Sequence, residues 1–375
     1  MGIKKIKTIH FVRDQKFFDG PIQQFDNDGR FENYCFMLVN TPDYKFKYIK
    51  NTHRIKLVYN KKALKEILNG DYDAIFFFSL PSYKIFNYIP KDKIVIWWAW
   101  GYDLYGDDRF ISIPLYKPLT KNIMRTRPQT IIRKIVNRLR EIPFIIDLKR
   151  GSRQKAIRRI DYFQPVLHCE YEMMKQVKGF NAKEFYYPGA SSLIDYSNNK
   201  NKNGNILVGN SASMTNNHLD VWDKIEEFVP FDKTAIFPIN YGDMEYAKQI
   251  STVIGQTAKH VRFLTTFLET KEYYAILDSC SFAVFGVLRQ EAMGNIYYCL
   301  ARGIKVFLFE DSVPYNYLKS NGCYIYSIDS MNRDSLIIPL SDEEAYHNYE
   351  VLKDIFKLKE VTSENAIRSI QTQLS

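Results

Sequence analysis

Cysteine is scarce and unpaired in this chain. Cys35, Cys169, Cys280, Cys299 and Cys323 are scattered over 375 residues, odd in number, and never form a C-x-x-C pair. A disulfide framework is excluded, and a reducing compartment with buried, inert thiols is expected. Bilayer-length apolar runs are missing too: IVIWWAW is among the longest, against the roughly 18 residues a membrane span needs. The opening MGIKKIKTIHFVRD is basic, but Thr8 and His10 break its apolar stretch and Arg13 and Asp14 stop it, so no signal peptide is expected. Ile6 stands where a hydroxyl residue would favour myristoylation. Neither a Walker A loop nor a G-x-G-x-x-G turn occurs, so ATPase and standard dinucleotide readings lack their motif. No RNP, zinc-finger or helix-turn-helix signature, internal repeat or long low-complexity tract is found.

Apolar residues make up 46% of the chain, with 27 tyrosines and 26 phenylalanines. That is ample material for two domains at the usual scale of roughly 100–200 residues each. Apolar, β-rich runs alternate with helical stretches: IKTIHFV, YCFMLVN, RIKLVYN, AIFFFSL, KIVIWWAW, RIDYFQPVL and KEFYYP in the first half, then NILVGNS, TAIFPIN, VRFLTTFL, SFAVFGV, IKVFLFE and CYIYS. Strands that are apolar throughout and alternate with helices predict parallel sheets covered on both faces, hence two Rossmann-like α/β domains with a cleft. KKALKEILNG predicts a helix with Gly70 at its C-cap. The polar stretch SSLIDYSNNKNKNGN marks the boundary, giving domains 1–195 and 204–375.

The net charge of +10 is local: residues 117–159 hold fourteen Lys and Arg against Glu141 and Asp147. Within TIIRKIVNRLREI, isoleucines recur at helical spacing while Arg133, Lys134, Arg138 and Arg140 take much of the other face. A basic amphipathic helix suits an anionic membrane surface or a diphosphate lipid; a solvated face and nucleic acid are the alternatives, the last without any accompanying motif.

Ligands of such sheets sit at the carboxyl ends of strands. After NILV come Gly209, Asn210 and Ser211, small residues that let backbone N–H groups approach a diphosphate, unless they form only a tight turn; Asn216 or Asn217 can cap the next helix. After SFAVFGV come Arg289 and Gln290, then Gly294 and Asn295 opening a helix, an arrangement suited to pyrophosphate; a plain Arg289–Glu291 pair is the alternative. After KIVIWWAW, which holds three of the four tryptophans, come Gly101 and Asp103. Trp100 would offer a sugar an aromatic face, and Asp103 or Asp14 could take a proton from an acceptor hydroxyl, unless Asp103 only caps a turn. Asp107–Asp108 allow a weaker, metal-dependent reading.

The set WxxWGxDLY (97–105), ILVGNS then N-N-H (206–218), FPINYG-x-x-x-Y (237–246) and RQ-x-x-x-G (289–294) resembles the bacterial 4-acetamido-4,6-dideoxygalactose transferases of glycosyltransferase family 56. The resemblance runs over about residues 70–325. It implies a GT-B fold, two Rossmann-like domains with parallel sheets facing across a cleft. It also implies a dTDP-sugar, a polyprenyl-diphosphate saccharide acceptor of common-antigen, O-antigen or capsule synthesis, and peripheral attachment to the cytoplasmic face of the inner membrane. It makes Gly209, Asn210, Ser211, Asn217, His218, Tyr241, Arg289, Gln290 and Gly294 sugar-nucleotide-site candidates. No metal or other cofactor is expected, since such enzymes commonly meet the leaving diphosphate with backbone dipoles and cations. A non-catalytic nucleotide- or polyanion-binding protein is the competing function.

Overall fold

A computed structural model describes residues 5–15, 18–80, 83–106, 110–126, 152–187, 204–257, 260–266 and 268–374. The chain divides into two units, residues 1–112 with 129–191 and 357–375, and residues 113–128 with 192–356.

The first unit is built on β1 (Ile6–Val12), β2 (Phe31–Leu38), β3 (Ile55–Val58), β4 (Ala74–Phe78), β5 (Ile94–Trp98), β6 (Tyr162–Gln164) and β7 (Lys183–Glu184). Their order is β3-β2-β1-β4-β5-β6-β7, and every pairing is parallel. The second unit has β8 (Asn205–Val208), β9 (Ala235–Pro238), β10 (Val261–Leu264), β11 (Cys280–Phe285), β12 (Lys305–Leu308) and β13 (Tyr326–Ser327), in the order β10-β9-β8-β11-β12-β13, again all parallel. Each order winds outward in both directions from its first strand. It reverses between β1 and β4 in one unit and between β8 and β11 in the other, the arrangement of a doubly wound Rossmann-like sheet. The central strands AIFFF and CSFAVF are buried at every position, as the unbroken apolar runs require of strands covered on both faces.

Helices α1 (Asp19–Asn27), α2 (Lys61–Leu68), α3 (Pro118–Thr126), α4 (Arg153–Arg158) and α5 (His168–Lys175) precede the second sheet. Then follow α6 (His218–Ile225), α7 (Met244–Thr257), α8 (Thr270–Asp278), α9 (Met293–Ala301), α10 (Val313–Ser320) and α11 (Asp342–Leu374). Asn60 caps α2 by accepting the Ala63 N–H at 2.8 Å, and its C-cap is Asn69, one residue before the glycine expected there. All five cysteines are free thiols, four of them buried.

The units depart from the expected 1–195 and 204–375 division in two segments. The end of α11 belongs to the first unit, where Ala366, Ile367 and Ile370 share a core with Phe25, Phe31 and Phe76. Arg30 there grips Glu364 through two bonds of 2.7 and 2.9 Å, and the Lys359 ammonium donates to the Val166 carbonyl at 2.6 Å. Conversely, α3 belongs to the second unit because Asp220 caps it: the carboxylate accepts the Leu119 and Thr120 N–H groups at 2.8 and 2.9 Å and the Thr120 hydroxyl at 2.6 Å. Both attachments depend on side chains distant in sequence, which a change of composition does not mark.

Candidate active site

In the second unit the loops after β8 and β11 flank the reversal of strand order. Gly209, directly after β8, has φ +71°, and a Cβ there would lie 2.7 Å from His218 Nε2 and 3.0 Å from Asn216 Oδ1. Only glycine fits so close an approach in the left-handed region. The turn wraps a buried Asn216, whose Oδ1 accepts the Asn210 N–H at 3.0 Å and whose Nδ2 reaches Ser211 Oγ at 3.4 Å. It is also tied to the loop after β9, since the Ala212 N–H donates to the Tyr241 carbonyl at 2.7 Å and the Asp243 N–H to the Ala212 carbonyl at 2.9 Å. The Tyr241 hydroxyl accepts from Asn210 Nδ2 at 3.4 Å and bonds Ser211. Burial, with a contribution from the nearby Glu291 charge, keeps that phenol above its ordinary range. Asn210 Oδ1 is left buried without a partner.

The loop after β11 begins at Gly286, where a Cβ would meet the Asn216 carbonyl oxygen at 2.3 Å and Val221 Cγ2 at 2.5 Å. Further on, Arg289 pairs with Glu291 at 3.0 Å and donates to the Gln290 carbonyl at 3.0 Å. Glu291 also accepts the Thr215 hydroxyl at 2.5 Å, and Tyr116 lies within the field of both charges. Gln290 Oε1 is buried without a partner. Ala292, at φ +59°, heads α9 with no side-chain cap, and Gly294 in the first turn is exposed, with nothing within 4 Å of where a Cβ would stand. Asn295 Nδ2 donates to the Tyr273 hydroxyl at 2.9 Å. An uncapped N-terminus beside a guanidinium combines orphan N–H donors, the positive end of the helix dipole and a fixed cation, which together suit a phosphate or diphosphate.

Two candidates are fully buried within the turn. Asn217, fully buried at φ +49°, donates to the Gly286 carbonyl at 2.7 Å and accepts the Lys117 N–H at 2.8 Å, so it ties both loops together. His218 lies beneath Gly209, shares a 3.3 Å hydrogen bond with the Tyr246 hydroxyl, and is driven down to about 3 by burial. The neutral imidazole is enclosed beneath the turn, with its Nε2 buried and unpartnered. The Glu291 pair, the plain alternative for Arg289, is formed. Glu291 itself, together with Gly286, Thr215, Tyr116 and Tyr273, completes the site without having been marked by any motif of its own, and Asn216, read from sequence only as a helix cap, lies at the centre of the turn.

In the first unit both expected bases are already engaged. One oxygen of Asp103 accepts the Leu80 N–H at 2.9 Å and the Trp97 indole N–H at 2.8 Å, and the other accepts the Trp100 N–H at 2.8 Å. Burial raises its pKa against the pull of these donors. Asp14 accepts the Lys47, Tyr48 and Ile49 N–H groups at 2.6, 3.0 and 3.0 Å and the Tyr44 hydroxyl at 3.1 Å. Burial would raise its pKa, but these bonds outweigh it and hold the carboxyl low. Each carboxylate has a loop to hold, the turn role set against catalysis for Asp103. The tryptophans divide accordingly: Trp97 is core and donates to Asp103, while Trp98 and Trp100, half-buried, stack at 5.2 Å. Gly101, at φ +77°, turns the chain, its carbonyl accepting the Tyr105 N–H at 2.8 Å. Arg133, Lys134, Arg138 and Arg140 lie outside the described residues, as do Asp107 and Asp108.

Residues 153–338 match the family described as 4-alpha-L-fucosyltransferase, glycosyl transferase group 56. The chain is a GT-B glycosyltransferase, related through those residues to group 56. No curated protein sequence matches the transferase. Among solved structures it is similar to the lipopolysaccharide outer core galactosyltransferase WaaB at 9% identity and a TM-score of 0.59, covering 97% of this chain and 98% of the other. The Anabaena protein HepE in complex with UDP and glucose gives 14% identity and a TM-score of 0.52, covering 98% of each chain. A Thermobaculum terrenum O-GlcNAc transferase mutant gives 11% identity and a TM-score of 0.50, covering 99% of this chain; the transferase spans 66% of that protein's length. Among the described residues no helix is long and apolar enough to cross a membrane, and no three His, Cys, Asp or Glu residues are gathered as metal ligands.

Proposed function

We propose that the transferase moves a deoxyamino sugar of the N-acetylfucosamine type from a dTDP-sugar to a polyprenyl-diphosphate-linked saccharide, at the cytoplasmic face of a bacterial inner membrane, in the synthesis of a surface polysaccharide. The observation that carries the reading lies at the switch point of the second sheet, where the uncapped N-terminus of α9 stands beside Arg289. As the glycosidic bond to the nucleotide breaks, charge grows on the departing diphosphate. Fixed N–H dipoles and a guanidinium stabilise that charge in place, without a resident cation. For Arg289 to meet the diphosphate it leaves Glu291, whose bond from Thr215 remains. Asn210, Ser211, Tyr241 and Gln290 are then the polar groups available to the nucleotide and sugar.

The group 56 match supports the sugar class, and the concentrated charge of residues 117–159 supports an anionic lipid surface. The test is release of free dTDP from the dTDP-sugar in the presence of a polyprenyl-diphosphate saccharide. Release that requires both substrates and yields an elongated lipid is expected. Binding of the nucleotide with no transfer to any lipid-linked saccharide would leave a non-catalytic binding protein.

A further inference from the structure

We propose that the switch point of the first sheet is a second anion site, in which Arg13, Gln15 and Ser79, held around Tyr102, bind a phosphate or diphosphate ester. Arg13 is the first residue after β1 and Ser79 the first after β4, the two strands between which the order reverses. Loops leaving such a pair of strands part to opposite sides and leave a crevice at their carboxyl ends.

Hydrogen donors outnumber acceptors there. The exposed Arg13 guanidinium sits 5.3 Å from the centre of the Tyr102 ring and spends one bond, at 3.4 Å, on the Leu80 carbonyl. No carboxylate among the described residues forms an ion pair with it. The Tyr102 hydroxyl donates to Ser79 Oγ at 2.5 Å and accepts from Gln15 Nε2 at 3.3 Å. Ser79 therefore keeps its own O–H proton to offer, Gln15 keeps a second N–H, and Arg13 keeps most of its five donors. Donors without matching acceptors suit an anion, and a guanidinium fork suits phosphate.

The backbone is set to present them. Ser79 is a non-glycine residue at φ +70° and is buried, a strained conformation that persists only where neighbours enforce it. Its N–H donates to the Trp98 carbonyl at 2.8 Å, and Asp103 fixes Leu80 beside it and Trp100 opposite. Asp103 is thus a positioning residue for this crevice. The site deepens the transferase reading, since the ester expected there is the diphosphate of the lipid-linked acceptor. A free phosphate would meet the same donors.

The test uses the full chain saturated with dTDP, so that the second unit is occupied, and titrates inorganic pyrophosphate and geranyl diphosphate by calorimetry. The wild-type protein is expected to bind one further equivalent. Arg13→Gln should weaken this binding at least tenfold and Ser79→Ala several-fold, while dTDP affinity is unchanged and Lys65→Gln, an exposed cation on α2, has no effect. Tighter binding of geranyl diphosphate than of pyrophosphate supports the lipid ester as the source; equal binding supports the phosphate group alone. Absence of a second equivalent, or Arg13→Gln binding like wild type, overturns the site. Failure of the nucleotide reading shows separately, as failure of dTDP to bind. In that case the same titrations are made on Arg289→Gln, where dependence on Arg13 reads identically.

Discussion

Replacing Asp103 by asparagine takes one acceptor oxygen from a group that receives three hydrogen bonds, from the Leu80 N–H, the Trp97 indole and the Trp100 N–H. The amide oxygen can serve the Leu80 and Trp97 pair, but its NH2 then faces the Trp100 N–H, donor against donor. A hydrogen bond to a charged group contributes about 1.5–3 kcal/mol, and a buried donor left alone costs about 1–3 kcal/mol. The neutral amide recovers part of this, because burial already disfavours the carboxylate and raises its pKa. A net destabilisation of about 2–4 kcal/mol is expected. Urea unfolding reads the stability, and the rate of dTDP release per folded molecule reads the chemistry. The expected outcome is a lower midpoint with kcat within tenfold of wild type and a raised KM for the lipid substrate. An unchanged midpoint with turnover abolished would refute the holding role and make Asp103 the base.

Gly286→Ala must displace the Asn216 carbonyl at 2.3 Å, so a loss of about 1–3 kcal/mol and weaker dTDP binding are expected together; an unaltered Tm contradicts the close packing of the two loops. Burial drives His10 to about 4 and His218 to about 3 from 6.5. Both folded values are depressed, so the stability is fully present above pH 6.5 and is lost as pH falls toward 4, by about 1.4 kcal/mol per histidine per unit. A Tm that is flat from pH 7 to 4.5, or a slope no shallower in His218→Gln, contradicts this. Changing Arg133, Lys134, Arg138 and Arg140 together to Gln should release the protein from anionic vesicles, as should high salt on the wild type. Cosedimentation equal to wild type at low salt assigns that face to solvent.

Both sheets were legible because their central strands, such as AIFFF and CSFAVF, are apolar on both faces and alternate with helical stretches. Local order at the second site was legible for the same reason: small or polar residues directly after β8 and β11 can only be loops at a carboxyl edge. Roles within those loops were harder to read. Asn217 and His218 stand beside Gly209 and Ser211 in sequence, yet a turn at φ +49° sends them inward, and nothing in a polar tripeptide reveals the direction. Asp103 looked available for chemistry because its three donors, Leu80, Trp97 and Trp100, come from two strand ends that meet only in the folded sheet. Ser79 at positive φ carries no sequence signal, since serine rarely adopts that conformation. Sequence order places the tail of α11 in the second domain, whereas Arg30 and an apolar stripe hold it in the first unit.

Whether the switch point of the second unit holds a nucleoside diphosphate is decided most directly by calorimetric titration of dTDP into the full-length protein and into Arg289→Gln. The expected result is one saturable site whose affinity falls by about 1.5–3 kcal/mol in the variant, the contribution of a charge-assisted bond, with UDP and GDP bound more weakly by the wild type. Equal dTDP affinity in the two proteins, or no binding to either, would contradict a diphosphate held by Arg289 at the head of α9.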